Sequence, residues 1–168
     1  MIKSKKETKV EDTKGRKQYL ARYVAPHRKI SRPVLETDMG RLAEEAHVLY
    51  NLCHTGIGVY QGGEAVAHQQ IDDKDPLRFF VTKDKKIMIN PVIVRHTRHT
   101  VDSVEGCLTF HEEAPIKVQR YNKITAEYYT MNSDGGIGKK ITEELGGFQA
   151  KVFQHEVDHL DCKYIFEF

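Results

Sequence analysis

Between Leu35 and Cys53 the apolar residues fall at Leu35, Met39, Leu42, Ala46, Leu49, Tyr50 and Cys53. Steps of three and four place these on one stripe of an α-helix, with Thr37 or Asp38 as the N-cap. Residues 56–70 follow with Gly56, Gly58, Gly62 and Gly63, a loop whose backbone can approach something closely. Hydrophobic character then comes in short runs: LRFFV (77–81), KIMI (86–89), PVIVR (91–95), IKVQR (116–120) and ITAEYYTM (124–131). These β-branched and aromatic runs, divided by turn signals such as NSDGG at 132–136, predict strands. A second helical pattern spans about 146 to 160. The prediction is an α+β fold, with one N-terminal helix and largely antiparallel strands packed around a central helix near the C-terminus.

Residues 1–25 break from this pattern. They are lysine-rich, interrupted by Glu7, Glu11 and Asp12, and have little apolar periodicity, which predicts a mobile or loosely attached basic tail. Residues 26–168 are then one domain, since 168 residues give one real core and are too few for two ordinary ones. Hydrophobic residues make up 39% and charged residues 30%, a soluble globular balance. No run approaches the roughly 20 apolar residues of a membrane helix, and the N-terminus has no apolar secretory core. A net charge of +2 is too small to argue for nucleic acid. Three widely spaced cysteines argue against a disulfide scaffold and for a reducing, cytoplasmic setting. Cys53 and Cys162 read as small buried hydrophobes.

The second helix contains HEVDH at 155–159. Two histidines four apart project from one helix face at a separation one metal ion bridges, and Glu156 beside them is placed to handle a water rather than to bind the ion. Phe148 and Val152 lie on the stripe of His155 and His159, and Phe153, Val157 and Leu160 on the neighbouring side. A catalytic site needs a third protein ligand and an open position. Only nine residues follow His159, so that ligand is expected upstream. Cys107 is the best candidate, in EGCLTF (105–110), where Gly106 gives the backbone freedom to turn a thiolate toward a metal. Cys162, His54, His68, His96, His99 and His111 are rivals that position alone does not exclude.

EGCLT (105–109) and QHEVDHL (154–160) closely resemble the second and third signature motifs of peptide deformylases; INPVIV (89–94) and HRKISRPV (27–34) are also similar, so the resemblance covers about 27–168. It implies that Cys107, His155 and His159 bind one divalent metal and that Glu156 is the acid/base. The native ion would be Fe2+, with Zn2+ or Ni2+ as alternatives. GEAVAHQQ (63–70) has the length of the family's glycine-rich first motif and puts Gln70 at the oxyanion-binding glutamine, although Glu64 and Ala65 replace an apolar residue and a glycine. Gln69 and Gln61, the latter ending GIGVYQ (56–61), stay open as alternatives. Gln70 and the Leu108 backbone N–H would hold the oxyanion. Gly63, Glu64, Ala65 and Gly106 would contact substrate, and Phe148 with Val152 would line an apolar methionine pocket. The implied reaction is removal of formyl from nascent peptides that begin with N-formylmethionine, releasing formate, with at most a transient ribosome encounter. The short run after the third motif is similar to short family members without a C-terminal helix. A small zinc endopeptidase and a catalytically silent metal or interaction module are the competing readings.

Overall fold

A computed structural model describes residues 8–11, 17–20, 29–56, 62–111 and 113–167. From the N-terminus the elements are β1 (Thr8–Glu11), β2 (Lys17–Leu20), α1 (Met39–Thr55), β3 (Ala65–Ala67), β4 (Phe79–Thr82), β5 (Ile87–His96), β6 (Thr100–Glu105), β7 (Ile116–Tyr121), β8 (Lys123–Met131), β9 (Ile137–Gly146) and α2 (Gly147–Leu160). One antiparallel sheet has the order β3-β4-β5-β8-β9, and β1-β2 and β6-β7 form separate antiparallel pairs.

β4 is buried on both faces, which explains why 79–81 reads as an unbroken apolar run. Side chains alternate along a strand. Phe79 and Val81 join a core with Leu42, Leu49 and Leu52 of α1, while Phe80 joins Phe153, Val157 and Leu160 of α2. β5 divides the same way, Ile89 toward α1 and Met88 toward α2. Phe80 and Phe153 meet edge-on with ring centroids 5.5 Å apart. Burying each such side chain contributes about 1.5–3 kcal/mol, so α2 is held rigidly against the sheet.

Several expectations need correction. The first helix begins at Met39 with Asp38 at its N-cap, one of the two expected positions, but the stripe does not reach back to Leu35: residues Glu36–Asp38 form a 3-10 turn, and the Leu35 N–H donates to the Asp38 carboxylate at 2.9 Å. Leu35 therefore leaves the helical stripe and is 58% exposed. The runs 86–89 and 91–95 are one strand, β5, with a bulge between Ile89 and Val92 that absorbs Pro91. At that bulge Asn90 has φ 51°, and its side-chain amide pairs with both backbone groups of Val34 at 2.8 and 3.0 Å. Five strands, β1, β2, β3, β6 and β9, escaped the hydrophobic pattern. β3 is three residues inside the glycine-rich stretch, β6 carries two apolar residues in six, and β9 is an edge strand whose face is largely charged. Within the basic N-terminal segment, Thr8–Glu11 and Lys17–Leu20 pair as a hairpin.

α1 is followed by a close return of the chain. Gly62 sits at φ +116°, and a Cβ there would lie 2.4 Å from the Cys53 carbonyl oxygen, so only glycine fits without displacing backbone. The Gly63 N–H then bonds that carbonyl at 3.1 Å, which launches β3 beside the helix end.

Candidate metal centre

Two elements deliver the site. α2 carries His155, Glu156 and His159, with the helix anchored by Phe153, Val157 and Leu160 on the core side. Cys107 follows β6 in extended conformation (φ −140°, ψ 131°), and residues Leu108–Phe110 turn immediately after it, with the Phe110 N–H on the Cys107 carbonyl at 3.0 Å. That 3-10 turn redirects the chain. Gly106 is not among the left-handed glycines of the described residues, so its expected conformational freedom is not what aims the sulfur.

Cys107 Sγ lies 3.2 Å from His159 Nε2, which lies 3.1 Å from His155 Nε2. All three donor atoms fall within 4.8 Å of one another, and Cys107 and His159 are 3% and 1% exposed. Tetrahedral ligation at metal–nitrogen distances near 2.0 Å and metal–sulfur near 2.3 Å needs donor separations of about 3.3 and about 3.6 Å. The observed spacing is within a few tenths of an ångström of that. Proton accounting points the same way. His155 Nδ1 meets the Glu105 carboxylate at 2.9 Å, so Nδ1 carries a proton and Nε2 faces His159 and Cys107. Among the described residues, buried His159 Nδ1 and Glu156 Oε2 have no hydrogen-bond partner. A cation shared by a thiolate and two imidazoles accounts for this convergence; the donors fit a metal.

Electrostatics reinforce the fit. Burial opposes ionisation of Cys107, but His159 and His155 hold its thiol well below the usual range. Burial pushes Glu156 up, against the pull of His155 and His159. Burial also works against Glu105, yet His155 and Arg120 keep it strongly ionised. Arg120, 5% exposed, grips Glu105 through two bonds of 2.9 Å and also bonds Asp158 of α2. This Arg120–Glu105–His155 relay was not anticipated from sequence. Its one signal was a charged residue on the same face of 116–120 as buried Val118.

A cleft of about 310 Å³ opens beside the donors, and Gly63, Glu64, Ala65, Gly106, Phe148 and Val152 all line it, together with Gln70, Leu108 and Glu156. Phe148 is 63% exposed, so it is a lip of the cleft and not core. Gln70 is buried; its Oε1 accepts the Ala67 N–H at 2.9 Å, and its Nε2 donates to Thr109 at 3.0 Å and lies 3.9 Å from Cys107 Sγ. Gln69 turns away to Tyr164 (2.9 and 3.0 Å) and Cys162. Gln61 lies outside the described residues. The rival ligands have other surroundings. His68 meets Glu45, His96 stacks on Tyr121 with centroids 3.7 Å apart, and His54 lies 3.2 Å from the Lys83 carbonyl. Cys162 is buried beside Gln69, His99 is exposed, and His111 is buried with Nδ1 unpartnered.

Comparison with known proteins gives one answer. The polypeptide deformylase family model matches residues 18–167. The peptide deformylase of Thermus thermophilus is 32% identical over 151 residues, covering 83% of this chain and 75% of that protein. Peptide deformylase 2 of Bacillus anthracis is 40% identical over 76 residues, a match spanning 39% of that protein's length. The crystal structure of peptide deformylase from Thermotoga maritima superposes with a TM-score of 0.72 at 30% identity, over 89% of this chain and 95% of that one.

Proposed function

The chain belongs to the polypeptide deformylase family, and from that premise we propose that it removes the N-formyl group from peptides beginning with formylmethionine, releasing formate. The catalytic unit is residues 26–168. The observation that carries this reading is Glu156, a buried carboxylate with an oxygen that has no partner among the described residues, next to the three-donor cluster and lining the cleft. A solvated or structural role for that side chain leaves the desolvation of its oxygen unexplained.

In this proposal Cys107, His155 and His159 hold one divalent ion. The ion supplies Lewis acidity and brings the pKa of water from 15.7 toward about 7. Glu156 takes the proton released when water adds to the formyl carbon, its affinity raised by burial, and returns it to the departing amine. The Gln70 amide and the Leu108 backbone N–H stabilise the developing oxyanion, one such donor being worth about 3–4 kcal/mol of barrier. Gly63, Glu64, Ala65 and Gly106 flank the peptide backbone, and Phe148 and Val152 meet its first side chain. Thiolate–imidazole ligation suits Fe2+ or Zn2+, and we assign Fe2+ as the native ion, with Zn2+ and Ni2+ as substitutes. Nascent chains as substrates imply a transient meeting with the ribosome. Three free, buried cysteines suit the reducing cytosol.

The test is formate release from a formyl-Met tripeptide by anaerobically prepared protein and its Glu156→Ala variant. The expected result is turnover by the wild type and a loss of at least about 100-fold in the variant at unchanged metal content. Internal cleavage of an unformylated peptide without formate would replace the assignment with an endopeptidase.

A further inference from the structure

The cleft beside the donors is not walled by hydrocarbon alone. Phe148 and Val152 form its α2 wall, but the β6 wall is Ser103 and Val104, and Lys151 crosses between them. Lys151 Nζ donates to the Asp102 carbonyl at 2.8 Å, so its aliphatic stem spans from helix to strand with the ammonium held at the β6 side. An ammonium has three donors and this carbonyl takes one. Ser103, 6% exposed, lines the same β6 wall. A side chain entering this cleft therefore meets an ammonium and a hydroxyl as well as hydrocarbon.

We propose that Lys151 and Ser103 are specificity-determining residues, which let the pocket take a first side chain of methionine's length ending in a neutral hydrogen-bond acceptor. Methionine sulfoxide and glutamine are the chemical types, alongside methionine itself. This rests on the deformylase reading. The thioether is a weak acceptor, whereas a sulfoxide oxygen is a strong one at nearly the same chain length. A carboxylate is disfavoured, because Glu64, Glu105 and Glu156 line the same cleft. Glu105 is already saturated by Arg120 and His155, so it does not compete for the Lys151 donors.

The test compares kcat/KM on four formylated tripeptides that differ only in the first residue: methionine, norleucine, methionine sulfoxide and glutamine. Norleucine is the apolar isostere, so the ratio of sulfoxide to norleucine isolates the polar contribution. The wild type is expected to turn over the sulfoxide peptide within about tenfold of the norleucine one. In Lys151→Met that ratio is expected to fall about tenfold, the scale of one hydrogen bond to a charged group, and Ser103→Ala lowers it less. Lys151→Arg, which keeps charge and donors, is expected to stay within about threefold of wild type. A wild type that discriminates more than 100-fold against both polar residues overturns the inference, as does a Lys151→Met variant that lowers all four substrates equally. Wild-type failure on every formylated peptide would instead remove the deformylase reading, and this inference with it.

Discussion

Cys107, His155 and His159 form one triad of metal-type donors; Glu45, His68 and Asp72 form another, with donor atoms within the same 4.8 Å limit. The two differ in what their atoms still lack. In the second triad His68 Nε2 meets Glu45 at 2.6 Å while its Nδ1 accepts the Leu77 N–H at 2.9 Å, so both ring nitrogens are used. Arg41 bonds Glu45 at 3.0 Å and also Asp72, placing a guanidinium where a cation would bind. His68 also stacks on Phe79 with centroids 4.8 Å apart. Among the described residues, the first triad has no guanidinium or ammonium between its donors, leaves polar atoms of His159 and Glu156 without partners, and faces a cleft. Proximity of donors alone therefore does not mark a candidate metal site; polar atoms left without partners do.

The largest effect expected from this contrast comes from Cys107→Ser. Bound metal should fall from about one per chain to near zero, and formate release should fall with it. His68→Ala should leave metal content unchanged, since its triad is structural. It should instead destabilise the fold by about 2–4 kcal/mol, because a buried aromatic contact and the partners of the Leu77 N–H and Glu45 are lost together. Metal analysis beside a denaturant melt separates the two outcomes, and loss of metal in the His68 variant would erase the distinction.

A smaller effect is expected at Arg120. Arg120 does not line the cleft but fixes Glu105, which fixes the His155 ring. Arg120→Met should weaken metal binding about 10- to 100-fold, measured by competition with a chelator, while the protein stays folded. An unchanged affinity would make the relay a packing feature.

The smallest effect is the share of the pH dependence that the structural triad supplies. Burial works against the Glu45 carboxylate, but His68 and Arg41 outweigh it and hold it below the usual carboxylate range. A lowered carboxylate pKa contributes stability that is fully present above the unfolded value and is lost as pH falls through the folded one. Wild-type stability should therefore decline below about pH 4.5. The His68→Ala variant should decline less steeply, because one of the two groups holding Glu45 down is gone. Parallel curves for the two proteins would show that Glu45 draws nothing from His68.

Much of the donor cluster was legible in the sequence because its signal is local: His155, Glu156 and His159 sit at fixed helical spacing, and Cys107 stands in the EGCLT run at 105–109. The choice of Gln70 over Gln69 depended on which way a three-residue 3-10 turn aims its side chains, a matter of tertiary contacts with Thr109 and Tyr164. The relay through Arg120 and the span of Lys151 join residues far apart in sequence, so no local pattern announces them. The fold was legible where apolar runs are buried on both faces, as in 79–81, and less so where a strand needs few apolar residues. Among the described residues, β9 lies at a sheet edge with one partner and β6 pairs with β7 alone. The N-cap at Asp38 was legible, but Leu35, which fits the periodicity, lies ahead of the helix with its N–H on the Asp38 carboxylate.

The central claim is the donor set itself, one sulfur and two imidazoles on one ion. X-ray absorption at the metal edge of the loaded wild-type protein reads that set directly. The account predicts one sulfur at about 2.3 Å with two imidazole nitrogens at about 2.0–2.1 Å, and loss of the sulfur shell in Cys107→Ser. A first shell of nitrogen and oxygen alone in the wild type would contradict it.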